Sequence, residues 1–230
     1  MKNKFIIVIM VIMFTSIMFE NDVVKADVNK QSIDKNEKLI LIDPGHGGID
    51  GGAESKNGTV EKNLNLNIGL KLRQLLKNEG FKVKMTREKD QGLYSDSGKI
   101  RKKKLEDLNN RCKMKEDSKC DMFISIHMNM FPQKKYYGPQ VWYSDSKNSM
   151  DLAHILQKGL ISDLNDDSER VEKPALDLYK ILRCKNSIPS VIVECGFLSN
   201  EREEQKLNND KYQNKIAESL CKSIKMYYYK

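Results

Sequence analysis

Cysteine is sparse and poorly spaced for staples. The five, at positions 112, 120, 184, 195 and 221, are an odd set with no C-x-x-C pair, which argues against a cysteine zinc cluster and a complete disulfide framework. They read as mostly buried free thiols. Histidine is scarcer still, with three residues in 230, so each raises a question about its chemistry. There is no internal repeat, no low-complexity tract and no run of stacking aromatics, which removes solenoids and single-strand nucleic-acid platforms. The lysines of "KIRKKKLEDLNNR" read as the solvated face of a helix, and no nucleic-acid partner is expected. The glycine-rich stretch "DPGHGGIDGG" lacks the Gly-Lys-Ser/Thr ending of a phosphate loop.

The N-terminus has the form of a targeting segment. Lys2 and Lys4 begin it, Phe5 to Phe19 is an apolar run, and Val24-Lys25-Ala26 resembles a small-residue cleavage site. The run is short for a membrane span, which needs about 20 residues. Residues 1–26 are therefore expected to be a signal peptide. The alternative is an uncleaved N-terminal anchor, which would be the sole membrane contact. No cysteine follows the run, which argues against a lipid-anchored form. Residues 27–38 are polar and read as a tether, leaving residues 39–230 as one domain large enough for a full core. An exported, extracytoplasmic chain with a net charge of +8 suits an anionic extracellular matrix.

Periodicity predicts an α/β fold: a single domain with a central, mostly parallel sheet flanked by helices on both faces. Leu39–Ile42 reads as a buried strand stopped by Asp43-Pro44-Gly45. Leu64, Ile68, Leu72 and Leu75/Leu76 then recur at helical spacing until Gly80. "FKVKMTR" alternates like a strand with Phe81, Val83 and Met85 on one side. Leu105, Leu108 and Cys112 suggest a second helix, Met122–Ile126 a second buried strand, and "PQVWYS" a further one. "MDLAHILQKGLISDL" is an amphipathic helix, Ser190–Val193 a strand, and "DKYQNKIAESLCKSIKMYY" a closing helix with Ile216, Leu220 and Ile224 inward. "PALDLYKILR" has no firm assignment.

Functional groups of an open α/β sheet gather where strands end at their carboxyl edge. His46, His127 and Glu194 each follow a predicted strand, and Glu61 opens the helix after the first loop. Two imidazoles and a carboxylate, with the fourth position left for water, match a catalytic zinc site. Glu194 is left as a carboxylate able to move a proton. The four residues are far apart in the chain, so spacing alone does not join them.

"LIDPGHGGIDGGA", "EKNLNLNIGLKLRQLLKNEGFKVKMTR", "FISIHMN" and "VIVECGFLSN" together resemble the zinc-dependent N-acetylmuramoyl-L-alanine amidases of bacterial cell walls, from about Leu39 to Tyr227. The resemblance implies that His46, Glu61 and His127 hold Zn2+ and that Glu194 is the catalytic carboxylate. It implies a peptidoglycan substrate, cut between muramic acid and the L-alanine that begins the stem peptide. "DLNNR" after a lysine-rich run is most similar to the spore-cortex, germination-specific branch. That branch acts in cortex maturation leading to muramic-δ-lactam, in the space between the spore membranes. A vegetative cell-wall autolysin is the alternative setting. No wall-binding repeat flanks the motifs, so targeting is expected from the groove, the compartment or a regulatory protein partner.

Two competing readings remain. Cys195 as nucleophile with His127 as base would make a cysteine endopeptidase, but it leaves His46 and Glu61 without a role, and alternation along the strand turns the Cys195 thiol away from Glu194. A wall-binding protein active only with a partner is the other; on that reading the isolated chain binds zinc weakly. His154, on an amphipathic helix outside any motif, reads as structural. Arg87 and Arg101 suit substrate carboxylates or surface ion pairs equally and are left out of the site.

Overall fold

Apolar runs that do not alternate with polar residues mark strands covered on both faces, and three such runs form the middle of the sheet. The computed structural model describes residues 38–164, 167–185 and 187–229. The signal segment expected over residues 1–26, and all of the expected tether except Lys38, lie outside the described residues. Strands β1 (Leu39–Pro44), β2 (Lys82–Met85), β3 (Met122–Asn129), β4 (Gln140–Tyr143), β5 (Lys173–Pro174) and β6 (Ser190–Phe197) form one sheet in the order β2-β1-β3-β6-β4-β5. The first four in that order run parallel, β4 is antiparallel to β6, and β5 is parallel to β4.

Alternation sorts the two faces. Ile40, Ile42, Ile124, Ile126, Val191 and Val193 point into the larger core, under helices α1 (Glu61–Asn78), α3 (Lys147–Asp163) and α6 (Asp210–Tyr228). Leu41, Phe123 and Ile192 point the other way, into a smaller core closed by α2 (Ile100–Asp117) and α4 (Lys180–Arg183). The short helix α5 (Glu201–Leu207) follows β6. Helix α1 ends where the sequence expects. Gly80 takes φ of 88°, and Gly80 N and Phe81 N donate to Lys77 O and Leu76 O. This is the Schellman pattern, which satisfies carbonyls that the helix end would leave exposed.

Two local expectations need correction, and one unassigned stretch resolves. Helix α2 exists, but Leu105 is 56% exposed while Asp107, Arg111 and Lys115 are buried. These lie at i, i+4 and i+8, so the inward stripe is charged: Arg111 pairs with Asp107, and Lys115 donates to the Ile181 and Cys184 carbonyls. Second, Cys112 and Cys184 form a disulfide joining α2 to the segment after α4, and only Cys120, Cys195 and Cys221 are free buried thiols. The two partners are 72 residues apart, which spacing rules cannot pair. Third, "PALDLYKILR" divides into the end of β5, a turn and α4. Among the described residues no helix is long and apolar enough to cross a membrane.

Candidate metal centre and catalytic carboxylate

The loop after β1 carries His46 in the left-handed region, with φ of 62°, which non-glycine residues seldom adopt. Two buried arginines hold it there. Arg111 Nη1 donates to Pro44 O at 2.9 Å and Arg111 Nη2 to His46 O at 2.6 Å. Arg87 Nε donates to Pro44 O at 2.9 Å and Arg87 Nη2 to Gly45 O at 2.9 Å. Asp43, 2% exposed, pairs with Arg111 at 2.6 Å and accepts from Thr86 and Ser125 hydroxyls. Burial alone would raise the Asp43 pKa, but Arg111 and the two hydroxyls keep it below its ordinary value. Arg87 is thus neither a surface ion-pair partner nor a substrate contact, but a buried clamp on the loop backbone.

Glu61 enters as the first residue of α1 and is buried. The loop before it is tied down by Glu204, which accepts from Ser55, Asn57 and Thr59 at 2.5–2.7 Å. Its two carboxylate oxygens divide their partners. Oε2 accepts from Ala53 N at 2.8 Å and lies 3.2 Å from His46 Nε2. Oε1 accepts from Met128 N at 3.0 Å and lies 2.9 Å from His127 Nδ1. A Cβ on Gly52 would lie 2.5 Å from Glu61 Oε2 and 2.7 Å from His46 Cδ2, and Gly52 has φ of 73°, so only glycine fits against this cluster.

His46, Glu61 and His127 offer donor atoms that all lie within 4.8 Å of one another. His46 Nδ1 is 2.8 Å from Asp50 Oδ2, so Nδ1–H donates there and leaves Nε2 as the donor atom facing Glu61, the outer-shell arrangement usual for a ligating histidine. Burial lowers the His46 pKa, but Asp50 and Glu61 outweigh it and carry it to about 9. Glu61 is held well below its ordinary value because the two histidines outweigh its desolvation. Two imidazoles drawn onto one buried carboxylate are a charge arrangement that a divalent cation satisfies directly, and the nitrogen–oxygen donor set suits zinc.

Glu194 lies beside this cluster, directly opposite His127 in the β3–β6 register and hence on the same face. It is 7% exposed, and its Oε2 has no hydrogen-bond partner. Burial pushes its pKa up from 4.5 to about 7, with the Glu61 charge adding to the rise and the histidines opposing it. Cys195 points to the opposite face, into the larger core, where burial pushes the thiol far up. His154 is remote from the cluster by its contacts, bonding Glu172 at 2.9 Å. All four residues expected at the site come together. Asp43, Asp50 and Arg111 were missed and Arg87 was weighed only for other roles; of these, only Asp50, four residues after His46, carries a local signal.

Three donors and a buried carboxylate with an elevated pKa, gathered at the carboxyl edge of a parallel sheet, have the chemistry of a metal-assisted hydrolase. The chain belongs to the N-acetylmuramoyl-L-alanine amidase family, which it matches over residues 40–226. It is 34% identical over 200 residues to the germination-specific N-acetylmuramoyl-L-alanine amidase of Bacillus subtilis (strain 168), covering 86% of this chain and 82% of that one. Among solved structures it is similar to the CwlD amidase from Clostridioides difficile in complex with the GerS lipoprotein. That match has 44% identity and a TM-score of 0.80, over 83% of this chain and 98% of that one. The N-acetylmuramoyl-L-alanine amidase from Clostridium difficile 630 matches with 31% identity and a TM-score of 0.71, over 84% and 97% of the two chains. The activity is therefore hydrolysis of the amide joining muramic acid to L-alanine in peptidoglycan.

Proposed function

We propose that this amidase is zinc-dependent, with His46, Glu61 and His127 as the metal ligands and Glu194 as the group that moves the proton. The observation that carries the assignment is the convergence of four side chains from four separate segments, three with donor atoms within 4.8 Å and the fourth buried with an unpartnered oxygen. Bound zinc supplies Lewis acidity at the carbonyl under attack and lowers the pKa of the attacking water.

The protein's own groups do the rest. Asp50 holds the His46 ring with Nε2 inward. Backbone N–H groups of Ala53 and Met128 hold the Glu61 carboxylate from two sides. Glu194, poised near neutral pH, takes a proton from the attacking water and returns it to the leaving nitrogen of L-alanine. A carboxylate whose pKa burial has raised can serve first as base and then as acid.

The setting belongs to the same proposal: an exported enzyme acting outside the cytoplasm on spore-cortex peptidoglycan, with a protein partner that regulates it. The likeness to a germination-specific amidase and to an amidase solved with a lipoprotein supports this. The test is mass spectrometry of muropeptides after incubation of the protein with peptidoglycan, with and without zinc. Stem peptides beginning at free L-alanine, released only with zinc, are expected. Equal release with a chelator present would overturn the zinc assignment.

A further inference from the structure

A groove of about 380 Å³ lies on the β4–β5 side of the catalytic carboxylate, and Asn129, Gln140, Trp142, Arg170, Lys173 and Tyr179 are among its lining residues. Its position follows from register. Gln140 stands opposite Glu194 in the β4–β6 pairing, and Trp142, two residues on, shares that face. Tyr179 lines the same groove, its ring centroid 5.7 Å from that of Trp142.

The two charged residues lining this groove, Arg170 and Lys173, are both cationic. Arg170 is held in place before any ligand arrives. Its Nε donates to Tyr137 O at 2.8 Å and its Nη1 to Gln140 Oε1 at 3.3 Å. Its guanidinium lies 4.6 Å above the Phe197 ring. Lys173 Nζ sits 5.7 Å above the Trp142 ring, and Trp142 Nε1 has no hydrogen-bond partner. A stacked guanidinium suits a planar carboxylate in a way a mobile surface lysine does not.

The direction of the substrate follows from the proton. Glu194 must reach the leaving nitrogen, so the peptide half of the substrate lies on Glu194's side, and that is the side of the groove. We propose that the groove is the subsite for the stem peptide and that Arg170, with Lys173 beside it, binds a free carboxylate that this peptide carries a few bonds beyond the scissile amide. The inference rests on the amidase reading above and adds to it a requirement for charge on the leaving half.

The test compares two N-acetylmuramoyl tripeptides that differ only in whether the second residue of the stem carries its free carboxyl as the acid or as a primary amide. One charge-assisted contact in a half-open groove predicts a preference for the acid of about tenfold in kcat/KM, carried by KM. In R170Q/K173Q the ratio of acid to amide is expected to fall to within about twofold of one. K173Q alone, at an exposed position, should lower the ratio in part and serves as the variant least able to disturb the fold. A wild-type ratio of one, or a ratio unchanged in the double variant, overturns the subsite. Calorimetric binding of the same two tripeptides to the full chain separates this from the amidase reading. Affinity does not depend on turnover: absence of cleavage bears on the amidase reading and its partner alone, while equal affinity for acid and amide still refutes the subsite.

Discussion

Replacing Glu194 with glutamine should abolish hydrolysis and at the same time stabilise the metal-free protein, by an amount set by pH. The carboxyl is 7% exposed, with Oε2 lacking any hydrogen-bond partner, and its pKa rises from 4.5 to about 7. At 1.36 kcal/mol for each tenfold change in proton affinity, ionising it in the fold costs about 3 kcal/mol. The sign is fixed by the direction of the shift. A folded-state pKa above the unfolded one means that stability is fully present below pH 4.5 and is lost as pH rises through about 7. Glutamine removes that dependence but leaves its own amide short of partners, a penalty of roughly 1–2 kcal/mol. The expected net gain for Glu194→Gln is therefore about 1–2 kcal/mol at pH 8, and because the amide penalty is the same at both pH values, the effect at pH 8 exceeds that at pH 4 by about 3 kcal/mol. Urea denaturation of both proteins in chelator at the two pH values measures it. If the difference between wild type and variant were the same at pH 4 and pH 8, the buried carboxylate would not be carrying this desolvation cost, and the argument for its elevated pKa would fail.

Other positions test the scaffold around the site. Gly52→Ala places a Cβ within 2.5 Å of Glu61 Oε2 at a φ of 73°. Zinc affinity measured by titration should fall at least about tenfold, with stability reduced by roughly 1–3 kcal/mol; unchanged affinity would show that the loop yields at no cost. Arg111→Met leaves Asp43 buried and short of its ion pair, so urea denaturation should show a loss of about 3–5 kcal/mol. A loss below about 1 kcal/mol would mean that the clamp is not needed to hold the loop. Cys195→Ser lies on the face away from Glu194 and should retain zinc-dependent cleavage in the muropeptide assay. Loss of cleavage in a folded Cys195→Ser protein would revive the cysteine mechanism.

The parts of the structure that could be read from the sequence are those governed by local period. Leu64, Ile68, Leu72 and Leu76 gave α1 its inward face, and Gly80 gave it its end. The strand alternation that puts His127 and Glu194 side by side also turned Cys195 away. His46 and Glu61 stood out because each sits where a strand or helix begins or ends. What could not be read depends on long-range pairing. Arg111 sits 68 residues from Asp43, and Arg87 lies 42 residues from the Gly45 carbonyl that it holds. No hydropathy period marks an arginine that folds inward, so α2 looked like a weakly amphipathic helix whose basic residues faced solvent. The Cys112–Cys184 bridge was hidden for the same reason, since an odd set of cysteines does not say which two meet. The charged lining of the peptide groove comes from Arg170 and Lys173, just before "PALDLYKILR", where no periodicity marked an element.

The central claim is the division of labour between three metal ligands and one proton-moving carboxylate, and a single preparation of Glu194→Ala tests it. Zinc bound per chain and stem-peptide release are measured on that protein beside the wild type and His127→Ala. Glu194→Ala should bind zinc as the wild type does and release no stem peptide, whereas His127→Ala should lose both. Normal cleavage by Glu194→Ala, or wild-type zinc binding by His127→Ala, would contradict the account.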